Sequence, residues 1–332
     1  MADCSNLFQE FNFKIKLKDS KKDSLKKSRK ELRKKIRTYF KENKPDEIKP
    51  KFSGQGSFET NTNVNPIPRT IEVNGEEKVI YKYDLDDGVY FIDDETEDGR
   101  KSIQTYHNWI YEAVDGHTSQ KPADKNTCVR VLFSDGHNID LPIYFKNATI
   151  PELAHKTKGW IISDPKEFID WFEKREKGNP QLKRLIRYLK AWCDYREFNN
   201  LSKKMPSGFI MTILATNHQY KHNRDDIALK ETLINIQAEL FKEFRCERPT
   251  TPKGENLLEE YTQKKYFMDE LEKFIDNAKK ALEEKNQKKA CEFWHKIFGD
   301  RFSCSNAKDE DEGDKRSAAL AAGAATSRPW AC

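Results

Sequence analysis

Val79-Ile-Tyr-Lys-Tyr-Asp-Leu-Asp86 is the stretch from which the fold of this chain can be worked out. Its β-branched and aromatic residues predict a strand. Asp84 and Asp86 are two positions apart, so on a strand both side chains project from the same face. Two neighbouring carboxylates repel each other unless a cation lies between them. The stretch therefore predicts a cation site on one face of a sheet.

A third carboxylate is expected on a nearby strand. Asp140 lies within the apolar segment Asn138–Phe145, which predicts a strand paired with Thr127–Phe133 because Asp135-Gly136 is a hairpin signal. An acid in that setting needs a partner. Three carboxylates on adjacent strands would form an oxygen-rich pocket suited to Mg²⁺ or Mn²⁺.

Gln55-Gly56-Ser57-Phe58 precedes the acid pair and supplies a candidate phosphate site. The small Gly56 lets backbone N–H groups approach a phosphate, and the Ser57 hydroxyl adds a donor. Each motif alone is common in turns and strand edges, but together they indicate phosphoryl transfer assisted by two metal ions. The chain has no GxxxxGK[ST] motif, which excludes a P-loop as the phosphate site.

Helical periodicity is expected after Pro151, and this half should carry a counter-charge for a triphosphate. Lys190 adjoins an apolar helical stripe, where it could contact phosphate or remain a surface lysine. Pro206-Ser207-Gly208 opens the next helix, whose N-terminus favours anions. The predicted helices are Pro165–Lys177, Pro180–Tyr195, Ser207–Tyr220, Asp226–Phe244, 264–284 and 287–298.

The N-terminal region is strongly basic. Lys14–Lys44 contains fifteen Lys or Arg against four Asp or Glu, and Leu25, Leu32, Ile36 and Tyr39 predict one apolar helical stripe within it. The basic face could attract phosphate groups or could simply be solvated. The surplus over the whole chain of 332 residues is only +5, too small to imply a nucleic-acid binder.

Composition excludes several classes of protein. The 20 Phe, 12 Tyr and 6 Trp can anchor a core, no apolar run is long enough to span a membrane, and the first ten residues lack the apolar region of a secretory signal. The seven Cys contain no CxxC pair, which argues against a disulfide framework or zinc knuckle and fits a reducing cytoplasm. Residues 303–332 are rich in Ala, Ser, Gly and acids and predict a disordered tail.

The motifs together resemble the bacterial cGAS/DncV-like nucleotidyltransferases, or CD-NTases, within the DNA polymerase β-like superfamily. The resemblance runs from about residue 7 to 304, and the Asp-Asp-Gly-Val-Tyr extension after the acid pair is specific to this subgroup. The segments that carry it, in the same order as in the family, are Gln55-Gly-Ser-Phe58, Tyr83-Asp-Leu-Asp-Asp-Gly-Val-Tyr90, Ile139-Asp-Leu-Pro-Ile-Tyr144, Gly159-Trp-Ile-Ile-Ser-Asp-Pro-Lys166 with Asp170-Trp-Phe172, and Leu189-Lys-Ala-Trp192.

The resemblance implies an α+β, bilobed, polymerase-β-like fold. Residues 1–50 would form a bracing helix, 51–150 a mixed-sheet catalytic palm, 151–302 a helical lobe and 303–332 the tail. The activity would be synthesis of a cyclic oligonucleotide from NTPs with release of pyrophosphate, with a cyclic dinucleotide such as cyclic GMP-AMP favoured.

The resemblance also implies roles for individual residues. Asp84 and Asp86 would bridge two Mg²⁺ or Mn²⁺ ions, and Asp140 would hold the ion that activates the acceptor 3′- or 2′-hydroxyl. The nucleotide-binding residues would be Gln55, Gly56, Ser57, Lys190 and Ser207, of which Ser57, Lys190 and Ser207 grip the donor triphosphate.

The partners implied by the resemblance are ATP and GTP as substrates, in a bacterial cytoplasm, with no membrane and no nucleic acid required. Such enzymes serve anti-phage CBASS systems, in which the product activates an effector. An ancillary ubiquitin-transfer-like enzyme of such a system could act on the C-terminal tail.

Alternative functions remain open. A cyclic trinucleotide synthase belongs to the same family. An RNA-end modifier or an oligoadenylate-type enzyme would share the metal site, but the sequence shows no appended RNA-binding module. A catalytically inactive scaffold is disfavoured because all three acids are present.

Overall fold

A mixed β-sheet with helices packed on it forms one part of the molecule, and a helical lobe forms the other. The structure, a computed structural model, describes residues 1–73, 75–93, 100–147 and 150–310. In these ranges the main sheet has seven strands, of which five follow the order β1-β4-β7-β6-β5, and β8 and β9 continue from β7. The strands are β1 Lys51–Gln55, β2 Arg69–Val73, β3 Glu76–Ile80, β4 Tyr83–Ile92, β5 Ala123–Asp124, β6 Cys128–Leu132, β7 His137–Lys146, β8 Pro151–His155 and β9 Gly159–Ile162.

The centre of the sheet is a parallel pair, β4 and β7, and the other pairings are antiparallel. The hairpin predicted at Asp135-Gly136 is confirmed, since β6 and β7 pair antiparallel across it. The prediction of a single strand over Val79–Asp86 is wrong. β3 ends at Ile80 and β4 begins at Tyr83, and within the described ranges β3 pairs only with β2, in a separate two-stranded sheet.

The helices account for most of the remaining residues. They are α1 Ser5–Ile15, α2 Asp19–Asn43, α3 Gly56–Glu59, α4 Ile103–Val114, α5 Pro165–Glu176, α6 Pro180–Asn199, α7 Gly208–His218, α8 Asp225–Lys242, α9 Lys264–Glu283 and α10 Gln287–Phe298. All six helices predicted after Pro165 are present. The start of α5 is fixed by Asp164, whose carboxylate accepts hydrogen bonds from the backbone N–H groups of Lys166 and Glu167.

The expected change to helical periodicity directly after Pro151 is wrong, because β8 and β9 extend the sheet to Ile162. Both strands are short and show no regular alternation of buried and exposed residues. Such strands carry a weak sequence signal, and their place at the end of the sheet is set by pairing with β7.

The N-terminal region contributes residues to two separate hydrophobic cores. Phe8 and Phe11 of α1 are buried in the core of the helical lobe. Leu25 and Leu32 of α2 are buried in the core between the sheet and its helices. The basic stretch therefore forms two helices, separated by an extended segment in which Leu17 is buried in the second core.

The apolar stripe predicted on α2 is largely correct but ends differently. Leu25, Leu32 and Ile36 are buried as expected, and Phe40 occupies the last position of the stripe. Tyr39 is only partly buried, and its hydroxyl donates a hydrogen bond to Glu112 of α4.

The C-terminal part of the described chain differs from two expectations. Cys291 of α10 and Cys304 form a disulfide, although the spacing of the cysteines argued against a disulfide framework. Residues 303–310 also pack on α10 and are therefore not a disordered tail: the backbone N–H of Lys308 donates to the Gln287 side chain at 2.8 Å. The remainder of the predicted tail, residues 311–332, lies outside the described residues.

None of the helices in the described ranges combines the length and hydropathy needed to cross a membrane.

Candidate active site

Two neighbouring strands, β4 and β7, place the three predicted carboxylates side by side. In the pairing of the sheet, Asp86 lies opposite Gln55 of β1 on one side and Asp140 of β7 on the other. Along β4, Leu85 is buried in the core of the sheet, whereas Asp84 and Asp86 line a cleft on the opposite face. The alternation of a strand therefore brings Asp84 and Asp86 to one surface, as the sequence predicted.

The next acid along the strand, Asp87, has a different environment. Its side chain is 1% exposed and lies on the face of the sheet that α2 covers. Arg33 of α2 forms an ion pair with it and donates from Nε to Oδ2 at 2.7 Å. Asp87 thus connects α2 to the sheet and is not part of the cleft.

The acid pair carries more negative charge than its surroundings neutralise. Burial, followed by the charges of Asp84 and Asp140, raises the pKa of Asp86 to about 8. Burial and the charge of Asp140 also raise the pKa of Asp84. Arg130 and Lys190 oppose both shifts without cancelling them. A cation bound at the pair would relieve this repulsion.

The carboxylate of Asp140 binds an arginine that was not among the predicted site residues. Arg130 of β6 donates from Nε and from a terminal nitrogen to the two Asp140 oxygens, each at 2.6 Å. The two residues are directly opposite in the β6–β7 pairing. Counting back from the Asp135-Gly136 turn would have placed Arg130 across from Asp140, so the hairpin signal was sufficient to find it.

The donor set fits a hard divalent cation only in part. The carboxylates of Asp84 and Asp86 supply oxygen ligands with a deficit of positive charge around them, the environment that Mg²⁺ or Mn²⁺ prefers. Asp140 is next to them in the sheet, but its oxygens bind Arg130. Accordingly, in the described ranges no three His, Cys, Asp or Glu side chains are arranged to hold a metal ion.

The turn after β1 packs closely against Asp86 of the acid pair. Gly56 has a φ of +71°, and a Cβ at this position would overlap the Oδ2 atom of Asp86. Only glycine both tolerates this backbone conformation and leaves room for the carboxylate. The hydroxyl of Ser57 follows directly and accepts a hydrogen bond from the Asn63 side chain at 2.9 Å, which fixes its position at the cleft.

Gln55 reaches across the sheet. Its Nε2 donates to the Tyr144 hydroxyl at 3.2 Å, while its Oε1 is buried without a hydrogen-bond partner among the described residues. A buried amide oxygen of this kind is costly unless a ligand or water satisfies it. Gln55 therefore lies in the cleft wall, as predicted, with an acceptor unused.

Lys190 of α6 lies on the side of the cleft opposite the sheet. Its Nζ donates to the Thr62 hydroxyl at 2.9 Å. Burial lowers the pKa of Lys190 to about 8, although the nearby charge of Asp84 acts in the opposite direction. Gly208, at the start of α7, is close enough that a Cβ there would be 3.1 Å from Lys190 Cε. Ser207 caps this helix by accepting from the Ile210 N–H at 3.3 Å.

The cleft has a volume of about 760 Å³ and brings together every predicted site residue except Asp140. Much of the cleft wall was not predicted from the sequence. Thr62 and Asn63 hold Lys190 and Ser57, and these short polar residues carry no pattern that would mark them. The other missed wall residues include the aromatic residues Tyr144, Phe168 and Phe209, and Arg248, whose guanidinium lies over the Phe209 ring at 5.2 Å.

Comparison with known proteins matches this site to one family. Residues 50–144 match the family described as "Cyclic GMP-AMP synthase DncV-like, nucleotidyltransferase domain". These residues include Gln55, Gly56, Ser57 and the three acids. The predicted resemblance to DncV-like nucleotidyltransferases is therefore confirmed for this part of the chain.

Two curated relatives extend the match. A cyclic GMP-AMP synthase from Escherichia albertii is 32% identical over 197 residues, which cover 57% of this chain and 42% of that protein. A cyclic AMP-AMP-AMP synthase from an Acinetobacter species is 28% identical over 153 residues, which cover 43% of each. The matches span less than half the length of both relatives.

The fold is similar over nearly the whole chain to crystal structures of Vibrio cholerae DncV. The apo form has a TM-score of 0.73 at 19% identity and is matched over 91% of this chain and 96% of that one. The GTP-bound form has a TM-score of 0.72 at 19% identity, over 91% and 96%. At these identities the likeness concerns the fold alone, and it confirms the predicted α+β class with a mixed sheet.

Proposed function

We propose that this chain is a nucleotidyltransferase that joins NTPs into a cyclic oligonucleotide with release of pyrophosphate. The observation that carries the proposal is the register of the central strands, which places Asp86 between the Gln55-Gly56 turn and Asp140. Lys190 lines the same cleft as Gln55, Gly56 and Asp86, on the side opposite the sheet. The cleft thus has carboxylates for cations on one wall and a cation for phosphate on the other.

The donor nucleotide would bind with its triphosphate between the Ser57 turn and α6. The Ser57 hydroxyl is oriented by Asn63, and Lys190 is held by Thr62, so both groups are preorganised before substrate arrives. Ser207 lies at the N-terminus of α7, where helix N–H groups favour anions. Preorganised charge of this kind stabilises a phosphoryl-transfer transition state without reorganisation.

Asp84, Asp86 and Asp140 would hold two Mg²⁺ or Mn²⁺ ions. When bound, such ions supply activation of the acceptor 3′- or 2′-hydroxyl and neutralise the leaving pyrophosphate. The protein itself would hold the carboxylates in position. It does so through the register of the strands and through the close approach of Gly56 to Asp86.

The bases would lie toward the aromatic part of the cleft wall. Phe168 and Phe209 have ring centroids 4.6 Å apart, and Tyr144 stacks on Tyr90 at 4.6 Å. Aromatic rings stack on any nucleobase, and the choice among bases needs polar contacts in addition. ATP and GTP are the proposed substrates because the E. albertii relative is named a cyclic GMP-AMP synthase.

A cyclic dinucleotide such as cyclic GMP-AMP is the favoured product, and a cyclic trinucleotide is the second candidate. The similarity to the Acinetobacter cyclic AMP-AMP-AMP synthase supports the second. Both products arise from the same chemistry and differ in how many transfers precede ring closure.

In the cell, we propose that the protein acts in the bacterial cytoplasm as the synthase of an anti-phage CBASS system, with an effector reached through its product. An ancillary ubiquitin-transfer-like enzyme is proposed to act on the C-terminal tail. The composition of that tail and the family resemblance support this part of the proposal.

The direct test is incubation of the purified protein with labelled ATP and GTP in Mg²⁺ or Mn²⁺. We expect pyrophosphate release and a product that resists phosphatase, since a closed ring has no terminal phosphate. Mass spectrometry of that product separates two nucleotides from three. A phosphatase-sensitive linear product would favour the oligoadenylate type, and label transferred only to added RNA would favour an RNA-end modifier.

A further inference from the structure

The loop that follows α3, residues 61–65, contacts both groups that would hold the triphosphate. Asn63 donates to the Ser57 hydroxyl at 2.9 Å, and the Thr62 hydroxyl accepts from Lys190 Nζ at 2.9 Å. Thr62 is fully buried, and its backbone N–H donates to the Ser57 carbonyl at 3.0 Å. One short loop therefore connects Ser57, which follows the sheet, to Lys190, which belongs to the helical lobe.

The N-terminal region holds the other side of this loop. Lys16, in the segment between α1 and α2, forms an antiparallel bridge with Val64. The backbone N–H of Asn65 donates to the carbonyl of Ile15, the last residue of α1, at 2.6 Å. These backbone contacts bring the start of α2 next to the loop.

Two lysines near the start of α2 bind the two ends of the loop. Lys21 Nζ donates to Asn65 Oδ1 at 2.7 Å, and Lys22 Nζ donates to Asn61 Oδ1 at 3.2 Å. Asn61 has a φ of +52°, a conformation that asparagine tolerates better than most residues. Each end of the loop is therefore an asparagine whose side chain is bound by a lysine.

These two lysines differ from the rest of the basic face of α2. Both are partly buried, whereas Lys26, Lys30 and Lys34 are exposed. Burial lowers the pKa of Lys21 to about 8 and also lowers the pKa of Lys22. Both ammonium groups thus lose part of their hydration in order to contact neutral amides, which a merely solvated helix face does not require.

We propose that Lys21 and Lys22 are positioning residues of the triphosphate site, which act through the 61–65 loop. Neither lysine lines the cleft, so neither is expected to touch the nucleotide. They hold the ends of the loop, and the middle of the loop orients the Lys190 ammonium and the Ser57 hydroxyl. Groups that are already oriented lose less freedom when they bind a phosphate. The inference rests on the proposed function, because it assumes that an NTP binds at Ser57 and Lys190.

The test is isothermal titration with non-hydrolysable ATP and GTP analogues, together with a melting curve for each variant. Replacing both lysines with methionine keeps their apolar stems and removes the ammonium groups. Lys21→Met with Lys22→Met should raise the apparent Kd about tenfold, the low end of what one hydrogen bond to a charged group contributes. Lys30→Met, on the exposed face of the same helix, is the matched control and should bind as the wild type does. Wild-type affinity in the Lys21→Met, Lys22→Met variant overturns the inference, whatever its melting temperature.

A double-mutant cycle separates positioning from a general loss of stability. If the two lysines act through the loop on Lys190, replacing them should cause a smaller fold-loss of affinity in a Lys190→Ala background than in the wild type. Equal fold-losses in the two backgrounds overturn the inference, because the effect would then reach the nucleotide by another route.

Asn61→Gly tests the same contact from the loop and remains informative if the lysine variant does not fold. Glycine tolerates the positive φ of this position, and the change removes the acceptor of Lys22. Asn61→Gly should raise the Kd about as much as Lys22→Met alone, and the two changes together should add little. Wild-type affinity in Asn61→Gly overturns the inference.

The two hypotheses fail in different ways. A wild type that binds neither analogue overturns the proposed function and the inference with it. A wild type that binds an analogue, beside lysine and Asn61→Gly variants that bind it equally well, overturns the inference alone.

Discussion

Gly56 and Asp86 are in contact across the β1–β4 pair, and the Asp86 carboxylate occupies the space where any other residue at position 56 would place its Cβ. Gly56→Ala should therefore displace the carboxylate and reduce the rate of pyrophosphate release by at least about 100-fold, as a misplacement of about 1 Å can in an active site. The measurement is steady-state pyrophosphate release.

Gly116→Ala is the matched control for this change. Gly116 also has a positive φ, +67°, but a Cβ there would meet nothing within 4 Å. Both variants should lose about 1 kcal/mol of stability from backbone strain. Gly56→Ala should lose more because its Cβ overlaps Asp86, and only Gly56→Ala should lose activity. Equal activities would contradict the proposed contact.

The repulsion around Asp86 predicts a pH-dependent stability of the metal-free protein. The pKa of Asp86 is raised to about 8 by burial and by its acidic neighbours, so the folded state binds this proton more tightly than the unfolded state does. The free energy of unfolding should accordingly fall as pH rises from about 4 to about 8.

Asp86→Asn should remove this dependence and stabilise the metal-free protein at pH 8 by an amount on the order of 1–3 kcal/mol. Chemical denaturation in EDTA at several pH values measures it. The exposed Asp46→Asn serves as control. A wild type and an Asp86→Asn variant with parallel pH profiles would argue that the acid pair is not strained.

Lys190 should contribute to nucleotide affinity through its charge. Lys190→Ala is expected to raise the apparent Kd for ATP and GTP by about 10–100-fold, the value of one hydrogen bond to a charged group. The exposed Lys158→Ala should have no effect. Isothermal titration with non-hydrolysable analogues measures the binding step separately from turnover.

The same lysine predicts a pH effect. The pKa of Lys190 is lowered to about 8 by burial, so the amine loses its proton as pH rises through that value. Nucleotide affinity of the wild type should fall between pH 7 and 9, and Lys190→Ala should show a smaller change. Identical pH profiles would remove Lys190 from the triphosphate site.

The basic helix α2 should be structural rather than a nucleic-acid track. Lys26, Lys30 and Lys34 are exposed, and replacing all three with Gln should leave turnover unchanged with or without duplex DNA. Arg33→Ala, on the same helix, should cost about 3–5 kcal/mol because it leaves the buried Asp87 carboxylate unpaired. Duplex-stimulated synthesis that is lost in the triple variant and weakened by salt would instead support nucleic-acid binding.

The boundary of the C-terminal tail can be tested by two deletions. Removing 311–332 should leave turnover close to that of the wild type, because no proposed site residue lies there. Removing 305–332 also removes the contacts of Lys308 with Gln287 and Lys288, and it should lower the melting temperature. Loss of turnover in the shorter deletion would show that the tail belongs to the catalytic unit.

The sequence was most informative where the spacing between residues alone determines the face on which their side chains lie. Asp84 and Asp86 share a face because a strand alternates, and the six helices after Pro165 follow from period and caps. The break in the basic helix was not predictable in this way, because it reflects the burial of α1 in one core and of Leu17 in the other, and no local pattern marks that division. Thr62 and Asn63 were missed for a similar reason: their importance comes from what they hold in three dimensions.

The placement of Asp140 on a hairpin strand has a consequence for how the chain folds. Arg130 and Asp140 are joined by a short turn, so their ion pair can form as soon as β6 and β7 meet. Asp86 reaches Asp140 only through the parallel β4–β7 pairing, which must close over α4, β5 and β6 and is slow for that reason. Since local contacts precede distant ones, we expect the arginine to be in place before the other two acids arrive. The growing cluster of negative charge would then meet a partner already neutralised, which lowers the electrostatic barrier to completing the sheet.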